Sequence, residues 1–174
     1  MLSHREQRPS APIPPEAVTT PLAETIDPEN FTPRLLALLS NALVWRESHE
    51  LQRRYGLGTN DWRVISAAAI RPGTSAAEVS EFLVLNKAVI SKSVNTLVER
   101  GLLVLIDGPR RSRPMYLTRA GVEMHDAMLP ISMRGQEIIL SDLSEDDICR
   151  LNHLLRRMLE KTRELQMLEN EAQV

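Results

Sequence analysis

The residues best equipped for chemistry lie between Ser75 and Arg119, and the chemistry they suit is recognition rather than bond making. On a helical wheel over residues 86–100, Ala88, Ser91, Lys92 and Asn95 share an arc of about 100°. An Asn95 amide matches adenine N6 and N7, Lys92 reaches a guanine edge or a phosphate, and Ala88 is small enough for close approach. Asn86 and Lys87 stand at the predicted helix N-terminus, where free amides and the helix dipole favour phosphate, and Ser75 opens the helix before it. Any amphipathic helix has a solvated face of this kind. A second cluster favours the recognition reading: Arg110, Arg111 and Arg113 crowd the tip of a predicted two-stranded hairpin. Guanidinium groups placed there suit phosphates or a narrow minor groove.

The net charge of −2 argues against nucleic acid until its distribution is considered. Residues 86–119 hold seven basic residues against two acids, a net +5, on a remainder that carries −7. A local basic patch on an acidic body holds phosphate without making the whole protein adhesive. Other chemistries lack their residues. Gly56-Leu57-Gly58 has no third glycine and no strand before it, so it is not a dinucleotide fingerprint. His4, His49, His125 and His153 have no metal-ligand spacing, and no nucleophile stands beside a base. The expectation is no enzyme, no cofactor and no metal. A single cysteine, Cys149, leaves no intramolecular disulfide, and a cytoplasmic setting is the simplest reading. No window reaches the roughly 18 apolar residues of a membrane span, and prolines occupy the place of a signal peptide's apolar region.

The elements that must position these residues are marked by their caps. Residues 1–31 hold six prolines and no glycine, and read as an extended arm. Thr32-Pro33 starts a long helix that ends near Tyr55-Gly56. A short helix from Asn60 to Ile70 is closed by Arg71-Pro72-Gly73. Ser75 and Glu78 form a capping box for a helix ending near Leu83. The next helix runs from Asn86 to Arg100 and stops at Gly101. Strands are expected at Leu102–Ile106 and Arg113–Leu117. Thr118 caps a helix bent at Pro130 and running to about Leu140, and Ser144 caps a last one running to about Leu168. The predicted fold is mainly α with a small β-hairpin wing: a winged helix-turn-helix over residues 59–118, a helical dimerisation region over 32–58 and 119–168, and a tail over 169–174.

Over residues 32–168 this pattern resembles the MarR family of bacterial transcriptional regulators. The resemblance rests on Trp62 in the helix after Gly56-Leu57-Gly58, on the Ser75 and Glu78 pair, and on Ser91-Lys-Ser-Val-Asn-Thr-Leu-Val-Glu-Arg-Gly101-Leu-Leu. It continues through Leu117-Thr118-Arg-Ala-Gly121 and Leu143-Ser144, with Leu151, Leu154 and Leu155 behind. It implies a homodimer joined by its first and last helices, bound to double-stranded DNA at a pseudo-palindromic operator. It further implies repression relieved by a small-molecule effector, often phenolic, an aromatic acid or a thioester of one. One departure is clear: family wings carry an acid nine residues before the Thr of the Leu-Thr pair, and here that position is Pro109, unless Asp107 replaces it.

The resemblance places a ligand crevice near Trp45, Arg46, His49 and Trp62, where rings stack on an aromatic ligand and Arg46 or His49 pairs with its anion. On the residues alone, packing of both tryptophans and a solvated His49 is the weightier reading. Cys149 is the candidate for a redox-sensing alternative. Asp146 and Asp147 give it the opposite of the electropositive surroundings that activate a thiol, so a packing residue is the expectation. A winged helix used for protein–protein contact is a further alternative, but it leaves the basic patch without a role.

Overall fold

A computed structural model describes residues 12–108 and 112–171. The element order is α1 (Thr32–Tyr55), α2 (Thr59–Ile70), α3 (Ala76–Leu83), α4 (Lys87–Glu99), β1 (Leu103–Leu105), β2 (Met115–Leu117), α5 (Arg119–Leu140) and α6 (Glu145–Glu171). Two compact units divide the chain, one ending at Leu38 and one beginning at Leu39.

In the first unit every residue from 12 to 38 is exposed. Its order is local: Ala17 N–H bonds to the Pro14 carbonyl, and Asp27 organises the turn into α1. The Asp27 carboxylate accepts from Glu29 N–H at 2.9 Å and from the Asn30 amide. The Asn30 amide, then the Glu29 N–H, hold its pKa below the ordinary aspartate value.

The second unit is built around α2, which packs against α3, α4, α5 and β2. It serves as the centre because Trp62, Val64, Ile65, Ala67 and Ala68 bury more than one face, as a helix apolar nearly all round must. Ala67 and Ala68 also let neighbouring helices approach. Around it Leu51, Leu57, Val79, Ile90, Leu97 and Met128 are almost fully buried, each contributing about 1.5–3 kcal/mol by removal from water.

The strands pair antiparallel with Leu103 opposite Leu117 and Leu105 opposite Met115. They are shorter than the sequence predicts, for two reasons. Leu102 belongs to the end of α4: Gly101 turns left-handed (φ 68°) and Leu102 N–H returns to the Leu97 carbonyl at 2.9 Å. At the other end the partner of Ile106 is Pro114, which has no N–H to continue the ladder. The hairpin is fixed to the body from both sides. Gly73 N–H bonds to the Met115 carbonyl and Met115 N–H to that of Thr74. Thr118 caps α5 through Gly121 N–H and donates its hydroxyl to the Gly101 carbonyl at 2.7 Å. Buried Gly121 is required here, because a Cβ would overlap the Leu102 carbonyl oxygen.

α5 continues through Pro130, and α6 ends at Glu171, three residues beyond the predicted Leu168. No residue of α6 whose side chain is described is buried. No described helix is long and apolar enough to cross a membrane.

Candidate nucleic-acid interface

α3 and α4 are set at a fixed angle by the turn between them. The Ser75 hydroxyl and backbone N–H both donate to Glu78 Oε2 at 2.7 Å, and Glu78 N–H returns to the hydroxyl. These bonds, the backbone one first, hold the Glu78 carboxyl below its ordinary range. At the far end of α3 Val84 adopts a left-handed conformation (φ 52°, ψ 46°), rare for a β-branched residue. Buried Ser80 enforces it: its hydroxyl donates to the Leu85 carbonyl at 2.6 Å, and Leu85 N–H returns to the Ser80 carbonyl. Asn86 then caps α4, its Oδ1 accepting from Ala88 N–H at 2.8 Å. The cap engages only the Oδ1 acceptor, so the phosphate contact expected of Asn86 from the sequence is compatible with it.

α4 buries Ile90, Ser93, Val94 and Leu97. On the wheel Ile90, Val94, Leu97 and Val98 share the neighbouring arc of about 100°, the predicted core side, yet Val98 is 36% exposed and Ser93 is buried. The core arc is thus rotated by about 40° from the predicted one, and Val98 lies beside Ser91 on the wheel. Ala88, Ser91, Lys92 and Asn95 are all exposed, as is Lys87. Among the described residues, the side chains of Ser91, Lys92 and Asn95 have no hydrogen-bond partner. This is a polar face that the protein leaves free.

Part of the predicted set is gathered into one concavity of about 470 Å³. The N-terminus of α3 supplies Ser75, Ala76 and Ala77, α4 supplies Ser91, Val94 and Asn95, and the wing supplies Leu105, Ser112 and Arg113. Asn86, Lys87, Ala88 and Lys92 do not line it. Arg113 lies 3.9 Å from Asp107, both well exposed, so Asp107 does stand opposite a wing arginine, though at the limit of an ion pair. Arg110, Arg111 and Pro109 lie outside the described residues. Two members of the +5 segment are engaged elsewhere: Arg100 donates to the Gly56 carbonyl at the end of α1, and Arg119 pairs with Glu123 at 3.4 Å.

The four ligand candidates separate into three places. Trp45, 74% exposed, stacks on His49 with ring centroids 5.9 Å apart, in a groove of about 630 Å³ along α1. Arg46 turns to α5 instead, donating to the Ile131 carbonyl at 3.1 Å, and Glu47 beside it accepts from Ser132. Trp62 is buried in the core, its ring 5.4 Å from that of His125, which bonds to Asp126 at 2.9 Å. The structure therefore does not bring Trp62 or Arg46 to the Trp45 groove. Arg53 does line that groove, bonded at 3.0 Å to Glu50, whose carboxyl it holds below the ordinary range. Cys149 is free and exposed, contrary to its expected packing role. Among the described residues no cluster of His, Cys, Asp or Glu has metal-binding geometry.

A buried helical core, two helices joined by a tight turn and a hairpin clamped beside them define a winged helix-turn-helix. Residues 55–113 match the model of the MarR family. The chain has the fold of solved structures described as MarR-family transcriptional regulators. A MarR/EmrR family transcriptional regulator from Acinetobacter sp. ADP1 is similar at 23% identity over 80% of this chain and 99% of its own, with a TM-score of 0.74. A MarR-family regulator from Silicibacter pomeroyi matches at 20% identity over 75% and 89%, TM-score 0.70. The PcaV transcriptional regulator from Streptomyces coelicolor, in complex with its natural ligand, matches at 22% identity over 80% and 99%, TM-score 0.67. No curated protein sequence matches the chain.

Proposed function

We propose that this protein is a dimeric DNA-binding transcriptional regulator, a repressor released from its operator by a small aromatic or phenolic ligand or its thioester. The observation that carries the reading is the bare polar face of α4. Ser91, Lys92 and Asn95 have hydrogen-bonding capacity and no described partner, on a helix whose other side is locked into the core. In this reading α4 enters the major groove, and Arg113 with the rest of the wing meets the backbone beside it. Residues 59–118 are then the DNA-binding region. Residues 32–58 and 119–168 form the dimerisation region, supported by the exposed apolar side chains Leu151, Leu154 and Met158 of α6. The operator of such a dimer is a pseudo-palindrome with half-sites about one helical turn apart.

The Trp45 and His49 pair is the effector candidate, because two stacked rings exposed in a groove offer a surface to a third. The ligand held by the similar PcaV regulator supports an effector of some kind. One titration tests the whole reading: anisotropy of labelled duplex DNA against salt, with and without an aromatic carboxylic acid. Affinity should fall steeply with salt as counterions are released, and Lys92→Ala should reduce the log–log slope by about one. Asn95→Ala should cost about ten- to a hundredfold on the preferred site and little on random duplex. Trp45→Ala should bind DNA normally but no longer respond to the acid. A flat salt dependence sinks the DNA reading, and an unaltered response in Trp45→Ala removes the effector from this groove.

A further inference from the structure

The end of α1 ties three helices together through exposed hydrogen bonds. Tyr55 donates its hydroxyl to the Ala127 carbonyl of α5 at 2.9 Å. The next residue, Gly56, offers its carbonyl to Nη1 of Arg100, the residue that closes α4, at 3.2 Å. That carbonyl is held in place from both sides. Gly56 takes the left-handed conformation (φ 63°) that ends α1, its N–H returns to the Gln52 carbonyl at 3.0 Å, and Leu57 after it is fully buried. The cations of α1's own last turn, Arg53 and Arg54, are both turned to Glu50. An arginine from another helix thus supplies the positive charge that the C-terminal end of α1 favours.

Arg100 belongs to the turn of α4 that the core supports least. The buried residues of α4 end at Leu97, and Val98, Glu99 and Arg100 are all exposed. On the wheel Arg100 lies about 140° from Asn95, so it does not share the bare polar face. Its charge counts toward the basic segment, yet its guanidinium is directed at α1 rather than at the arc of Ala88, Ser91, Lys92 and Asn95. Helix ends open more readily than helix centres, so the direction of α4 depends on what holds each end. Asn86 caps the first turn, and the bond to Gly56 fastens the last.

We propose that Arg100 is a positioning residue for DNA binding: its bond to Gly56 fixes the closing turn of α4 on the end of α1 and so sets the direction in which α4 presents Lys92 and Asn95. The inference rests on the DNA reading proposed above and assigns a role to a basic residue that touches neither base nor phosphate in it. Holding a binding surface in its bound direction contributes affinity by lowering the cost of ordering it. The bond also makes the ends of α1 and α4 move together. The helix that carries the Trp45 groove is thereby connected directly to the helix that meets DNA.

The test is anisotropy of the full chain, across a range of salt, on two duplexes of equal length: one selected by the protein from a random-sequence library and one unselected. Arg100→Met should weaken binding to the selected duplex about tenfold and to the unselected one little. Its log–log salt slope should match the wild type, because no phosphate contact is lost. Arg100→Lys, which keeps a donor of similar reach, should recover most of the loss. The urea midpoint should change little in either variant, since the bond lies at the surface. Equal losses on both duplexes with a slope lower by about one would make Arg100 a phosphate contact and overturn the proposal. Wild-type affinity in Arg100→Met overturns it too, as does a loss accompanied by a large fall in the urea midpoint, which marks the bond as a support of the fold alone. A wild type with a flat salt dependence overturns the DNA reading, and this inference with it.

Discussion

α4 buries its apolar arc in its own chain and leaves its polar arc bare; α6 leaves its apolar stripe bare as well. Ile90, Val94 and Leu97 of α4 are at most 4% exposed, whereas Leu151, Leu154, Met158 and Leu159 of α6 are 36–61% exposed. Both helices are amphipathic, so pattern alone does not distinguish them. Their surroundings do. A polar face with unused donors and acceptors is the signature of a polar ligand, and a long apolar stripe in water is the signature of another protein surface. In the function proposed above, the contrast corresponds to different partners: DNA for α4, a second copy for α6.

The strongest way to break that contrast is to charge the stripe. Leu151→Asp with Leu155→Asp should abolish the dimer at micromolar concentration and lower operator affinity at least a hundredfold, because each half then binds its half-site alone. Sedimentation and anisotropy read the two effects. If both constants stay at their wild-type values, α6 is a solvated helix and the contrast is false.

A second change acts on the other side of the comparison, where the structure depends on contacts within one chain. Gly121→Ala forces a methyl into the Leu102 carbonyl, at the joint between the wing and α5. Overpacking of this kind costs about 1–3 kcal/mol or more. Urea denaturation should show the loss, with operator binding weakened through the displaced wing and the dimer constant little altered. A variant as stable as the wild type would mean that the joint yields easily and that the wing is not clamped as described.

Much of this architecture was legible from punctuation. Ser75 with Glu78, Gly101, Thr118 and Ser144 each mark a helix boundary by local chemistry, and the helices start or stop within a residue or two of those marks. What escaped the sequence depends on contacts remote along the chain. Trp62 meets His125, and Arg46 meets Ile131, across separations that no periodicity encodes. Ser93 is polar and yet buried, because a small hydroxyl residue fits the crowded side of α4. Asparagine before a helix is an N-cap signal in its own right, and a cap through Oδ1 is compatible with a phosphate at the same helix end. The surface around Trp45 is the contrary case, since every residue lining it lies on α1, where helical spacing alone brings Trp45 and His49 together.

Val84 offers the smallest test. Nothing in its residue type announces a turn, since a left-handed β-branched residue is disfavoured by its own Cβ. The conformation persists because Ser80 and Leu85 bond across it and because α3 and α4 are both anchored on α2. Val84 is 60% exposed, so replacing it removes little buried surface. Val84→Gly relieves the strain, of order 1–3 kcal/mol, but gives the unfolded chain more freedom, which offsets about 0.4–1 kcal/mol of the gain. The net expectation is a stabilisation between about 0 and about 2.6 kcal/mol, read as a higher urea midpoint. DNA affinity should stay the same or fall slightly, because a looser turn holds the angle between α3 and α4 less firmly. A clear loss of stability would show that Val84 packs in a way its exposure conceals, and that the turn is held by the side chain rather than imposed upon it.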